Sequence, residues 1–158
     1  MLHLGLSESE LEWFENAEGR KADLEAIIRY HIYHPMFYRT NVYIHSIRVA
    51  MLVMEVAELL KNVLRFDVHK AVLMALVHDD PEIITGDFQA SIKEKLSHQE
   101  LENKKAADQA AAKEIAGRYP KMLGNHKYHD LLEEVSAKTT IEARVNDICD
   151  KLDGRCEA

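Results

Sequence analysis

The chain has 158 residues, 47% hydrophobic and 30% charged, which fits one globular domain (1–158) with a substantial core and excludes a disordered chain. Its formal charge of −7 argues against broad attraction to nucleic-acid polymers or anionic membranes, while local cations can still hold a small anionic substrate. The apolar runs 49–54 and 71–77 are far too short to span a bilayer, and the acidic N-terminus has no signal-peptide pattern. Cys149 and Cys156 sit seven apart in a helical segment, roughly 10 Å and too far for a disulfide. A soluble protein with reduced thiols in a cytoplasmic setting is expected.

In chain order, the spacing predicts a helix over about 7–17, capped by Ser7 or Ser9, and a second over 21–33 that Pro35 ends. A third, over 41–63, is apolar on most of its circumference and is therefore expected to be central and buried. Asp67 caps a short apolar helix through Val77, which delivers His78-Asp79 at its end. Thr85-Gly86-Asp87 signals a turn before a short helix to Leu96. Ser97 caps a long Ala-rich helix that stops before Pro120, and a weaker helix covers 129–136. Thr139 with Glu142 forms a capping box for a last helix over 141–152. The expected fold is an all-α bundle with the third and fourth helices in the middle.

Nine histidines invite a metal hypothesis, and the informative ones lie among apolar neighbours. His45 sits one turn into the third helix, His78-Asp79 closes the fourth, and Asp150 lies in the last. A buried carboxylate needs a cation or strong hydrogen bonds. Two imidazoles and two carboxylates converging from three helices meet that need as a metal site. The donor set suits one divalent transition ion (Mn, Fe, Co, Ni or Zn) better than Ca. The alternative for each residue is a hydrogen-bonded core histidine or a capping aspartate.

The chain resembles the HD-domain phosphohydrolase superfamily, whose pattern of His, then His-Asp, then Asp falls on His45, His78, Asp79 and Asp150. Within it the 5′-deoxynucleotidase branch is the most similar. Its Asn-Val-x-x-His-Ser pattern matches Asn41 to Ser46, and its His-Asp-x-x-Glu-x-x-Thr-Gly-Asp pattern matches His78 to Asp87 without a gap.

The resemblance implies an all-α HD domain, a metal held by those four residues, and hydrolysis of (deoxy)nucleoside 5′-monophosphates. It implies catalytic roles for Glu82, acting on the attacking water or leaving group, and for Asp87. Their alternatives are a solvated first-turn Glu and a helix N-cap. Arg39 and Lys93 are the candidate phosphate cations, Lys93 aligning with a lysine of the branch, with Arg48 also near. Each has the alternative of a snorkelling surface side chain, which for Arg39 and Arg48 is at least as good a reading.

Ile44 stands where the branch usually has Glu, which removes one expected contact to the metal histidine. Prolines expected after Asp87 are missing. A deoxynucleoside triphosphate triphosphohydrolase and a nucleotide-binding domain without turnover are the competing functions. His31 and His34, like His126 and His129, are spaced i, i+3 as a metal pair can be, but His98, His126 and His129 match no second-metal motif and read as surface residues. The Ala-rich run 106–116 allows close helix packing within the chain or across a homodimer.

Overall fold

The computed structural model of the protein describes residues 4–29, 40–87 and 96–157. Helix α1 (Glu8–Asn16) starts at Ser7, whose hydroxyl accepts from the Glu10 backbone while the Glu10 carboxylate accepts from the Ser7 backbone. This reciprocal box satisfies two donors that a helix start leaves unpaired. Helix α2 (Arg20–Ala26) follows the left-handed Gly19 and is shorter than the expected 21–33. The physical reason is a competing extended pairing: Ile28 bridges Asn41, Arg29 N–H donates to Thr40, and Val42 N–H donates to Ile27. β-Branched Ile27 and Ile28 favour that extended backbone. The remainder of the predicted second helix lies outside the described residues.

Helix α3 (Val42–Leu60) is capped by the Asn41 side chain and packs on α4 (Val68–Val77), capped by Asp67. Every residue from Ala71 to Val77 is buried, so α4 is surrounded on all sides. Fully burying each large apolar side chain there contributes about 1.5–3 kcal/mol. The central position expected of α3 holds, but its burial is one-sided. Val42, His45, Val49 and Val53 are inside, whereas Ile44 and Leu59 are exposed.

After the short α5 (Glu82–Thr85), Gly86 takes a positive φ in the expected turn. Helix α6 (His98–Arg118) carries the predicted Ser97 cap and stops before Pro120. Only the second half of its Ala-rich run is buried, with Ala111, Ala112 and Ile115 facing inward.

A two-residue hairpin, β1 (Met122–Leu123) with β2 (His126–Lys127), was not expected, because strands this short carry no period-2 signal. It leads into α7 (Tyr128–Ala137) and then α8 (Ile141–Glu157). The α8 cap differs from expectation: Thr140, not Thr139, accepts from the Ala143 backbone. Glu142 is no box partner but instead accepts from the Asp67 backbone, tying α8 to the start of α4. The helix also runs past Leu152 to Glu157. Helices α3, α4 and α8 pack mutually and form the centre. Among the described residues the fold is all-α apart from the hairpin, and no helix is long and apolar enough to cross a membrane. Both cysteines are free, Cys149 buried and Cys156 exposed.

The hairpin is pinned to α1. Gly124 has φ +56°, and a Cβ there would fall 2.0 Å from Glu10 Oε1. Glu10 cannot easily yield, since it is buried and held by Ser7 and by His69 at 2.8 Å. Gly124→Ala is therefore expected to destabilise by about 2–4 kcal/mol, combining left-handed strain with loss of the Glu10 contacts. Gly117, in α6 with open space around its Cβ position, is the control. Gly117→Ala should gain roughly 0.5–1 kcal/mol, and urea unfolding of the two variants reads both signs.

Candidate metal centre

Three helices bring the polar groups singled out in the sequence to one place. His45 is buried because its face of α3 turns onto α4 and α8. His78 ends α4 as its C-cap, Asp79 follows in the turn before Pro81, and Asp150 projects from α8. His45 Nε2 lies 3.1 Å from Asp150 Oδ1 and 3.4 Å from Asp79 Oδ2. His78 Nε2 lies 3.2 Å from Asp79 Oδ2 and 3.9 Å from Asp150 Oδ1. One ligand atom each from His45, His78 and Asp79 falls within 4.8 Å of the others, close enough to share an ion.

Both imidazoles are turned the same way. His45 Nδ1 is 2.7 Å from Asp153 Oδ2, and His78 Nδ1 is 2.7 Å from the Ala75 carbonyl. Those oxygens accept, so each Nδ1 donates and each Nε2 faces the carboxylates. Burial opposes charge on both rings, yet the carboxylates outweigh it: Asp150, Asp153 and Asp79 raise the pKa of His45, and Asp79 and Asp150 raise that of His78. Burial likewise opposes ionisation of Asp79 and Asp150, but the two histidines hold both carboxyls below their ordinary values.

His78 Nε2 is buried without a hydrogen-bond partner, the nearby Asp79 oxygen lying outside hydrogen-bond geometry. An orphaned buried nitrogen is costly. A cation between the two Nε2 atoms and the two carboxylates removes that cost, so the residues fit a divalent ion of borderline hardness.

Glu82 opens α5, three residues after Asp79. Its burial, with the negative charges of Asp79 and Asp87, pushes its carboxyl well above the usual range, while Arg29 draws it down. Asp87 follows Gly86, near enough for its charge to act on Glu82; an N-cap role cannot be read, because the residues after it lie outside the described set. Arg39 and Lys93 lie outside it too. Arg48 NH2 sits 2.8 Å from Asp153 Oδ1, so its charge serves that carboxylate.

Three features escaped sequence reasoning. Asp153 supplies the His45 partner that Ile44 does not, since Ile44 is 41% exposed. Arg29 is a half-buried cation beside Glu82, unremarkable in sequence. A buried ion pair also adjoins the site. Arg20 donates from Nε and NH2 to the two Asp80 oxygens at 2.7 and 2.6 Å, and Tyr128 donates at 2.6 Å. The guanidinium lies against the rings of Trp13 and Phe14, 5.1 and 4.8 Å from their centroids. This network fixes the residue next to Asp79. Away from the centre, His129, Asp130 and Glu133 form a group on α7, the two acids exposed and His129 half-buried.

The profile of the HD domain family matches residues 22–158. Among solved structures, a conserved hypothetical protein from Pyrococcus furiosus is 31% identical over 85% of this chain and 73% of its own, with a TM-score of 0.63. The PH0347 protein from Pyrococcus horikoshii OT3 is 26% identical over 85% of this chain and 70% of its own, also at 0.63. Neither name states an activity. No curated protein matches the chain. HD domains bind divalent metals, and the fold and the His/Asp cluster agree with that chemistry. The chain thus belongs to the HD domain family and is, in general terms, a metal-dependent phosphohydrolase.

Proposed function

We propose that the protein hydrolyses the phosphomonoester of deoxynucleoside 5′-monophosphates, using one divalent transition ion held by His45, His78, Asp79 and Asp150. The observation that carries the metal site is the buried, unpartnered Nε2 of His78, set among two carboxylates and a second imidazole. When bound, such an ion polarises a phosphate oxygen and lowers the pKa of water. Support for the nucleotide monophosphate comes from the ungapped match of His78, Asp79, Glu82, Thr85, Gly86 and Asp87 to the deoxynucleotidase pattern.

The chain's own part is proton handling and charge. Glu82, with its carboxyl raised by burial and by Asp79 and Asp87, suits a group that takes a proton from water and returns one to the leaving oxygen. Asp87 maintains that raised value. Arg29, with Arg39 and Lys93, provides positive charge for the phosphate.

Product analysis across Mn, Co, Ni and Mg tests this. Orthophosphate is expected from deoxynucleoside monophosphates, and Glu82→Gln should lower kcat about 10²–10⁴-fold while metal affinity stays near wild type. Tripolyphosphate from triphosphates would instead make the protein a triphosphohydrolase. Nucleotide binding without turnover, equal in wild type and Glu82→Gln, would make it a binding domain.

A further inference from the structure

We infer that Asp153 is the positioning residue of the metal centre: it fixes His45 by its Nδ1–H, and Arg48 anchors the other Asp153 oxygen for that task. The inference rests on the metal reading above and adds to it a residue that touches neither ion nor substrate.

Asp153 is 3% exposed, yet it lies in the last helix one turn beyond Asp150, where no apolar packing calls for a carboxylate. Both of its oxygens are used. Oδ2 accepts from His45 Nδ1 at 2.7 Å, and Oδ1 accepts from Arg48 at 2.8 Å. A carboxylate so deeply buried persists only when such partners replace its water. Arg48 is one turn beyond His45 on α3, so the two α3 side chains clamp one α8 carboxylate between them. Asp150 and Asp153 therefore approach His45 from its two ends, Asp150 at Nε2 and Asp153 at Nδ1.

An anionic acceptor at Nδ1 keeps the proton there, leaves the Nε2 lone pair for the metal, and makes that nitrogen a stronger donor. His78 differs, since its Nδ1 is bonded to the neutral Ala75 carbonyl. The two imidazoles are thus unequal ligands: His45 donates to a carboxylate, His78 to a neutral carbonyl.

The test uses Co(II) as the probe on the full chain, with affinity by competition titration and the visible spectrum at saturation. Asp153→Asn keeps the shape and an acceptor oxygen but removes the charge. It should weaken Co(II) about 10–100-fold and shift the ligand-field bands, with Asp153→Ala weaker still. Arg48→Met, which leaves His45 and Asp153 in place, should weaken Co(II) less than Asp153→Asn and shift the bands in the same sense. An Asp153→Asn protein that binds Co(II) as tightly as wild type overturns the inference. So does one that binds more weakly but has an unchanged spectrum at saturation, because loss of fold stability alone does that. Wild type that binds no Co(II) overturns the metal reading itself, which separates the two failures.

Discussion

Asp79→Asn should abolish metal binding and hydrolysis together, lowering activity by about 10³-fold or more while leaving the fold intact. A metal's share of transition-state stabilisation is several kcal/mol, and each 1.36 kcal/mol is about tenfold in rate. Asp79 lies close to both histidines through one oxygen, its Oδ2 being 3.2 Å from His78 Nε2 and 3.4 Å from His45 Nε2. The amide preserves shape but offers a neutral oxygen to the ion. Unfolding should therefore be little changed without metal, since the side chain sits in a turn rather than in the apolar core. Wild type should gain stability from added metal, by about 2.7 kcal/mol at a hundredfold excess over Kd, and the variant should gain none. A thermal shift with metal that matches wild type would remove Asp79 from the ligand set.

The second large effect concerns stability. Arg20→Met should cost about 3–5 kcal/mol, because it strands the Asp80 carboxylate in the core with only Tyr128 to bond it. Arg20 and Asp80 are both fully buried, and the guanidinium also donates to the backbone oxygens of Leu76 and Phe14. With domain stabilities of about 5–15 kcal/mol, one substitution removes a large share. Replacing both members, as Arg20→Met with Asp80→Leu, should cost less than the sum of the single changes, since no buried charge is left over. Denaturant unfolding of the cycle measures that coupling, and additive costs would show the pair to be energetically idle. The pair joins α2 to the turn carrying His78 and Asp79, so its loss should also loosen the metal site.

The four proposed ligands were legible in the sequence for two reasons, burial and family pattern. His45, His78 and Asp79 are polar groups inside or ending an apolar helical run, and such groups demand a partner. Asp150, on a charged helix, was singled out with them by the resemblance to the HD pattern. The caps at Asp67 and Ser97 were equally plain, and Ser7 was one of two candidates with Ser9, because a cap is a local interaction. Partners set by tertiary packing were not legible. Asp153 reads as one more acid on a charged C-terminal helix, and only its approach to His45 and Arg48 distinguishes it. Nothing local pairs Arg20 with Asp80, 60 residues apart, and only the fold brings them together. The end of α2 was missed because the Ile28–Asn41 bridge is a long-range pairing that overrides helical spacing. Thr139 was read as the cap from its spacing to Glu142, but Glu142 accepts from the distant Asp67 backbone and Thr140 caps Ala143, a pairing that local spacing does not show.

The central claim, an ion-dependent phosphomonoesterase, is tested most directly by orthophosphate release from deoxynucleoside 5′-monophosphates after exhaustive chelation and again after adding back Mn, Co, Ni or Mg. The chelated protein should be inactive, and one equivalent of a fitting ion should restore turnover. Equal release with and without the ion, or no release with any ion, would contradict it.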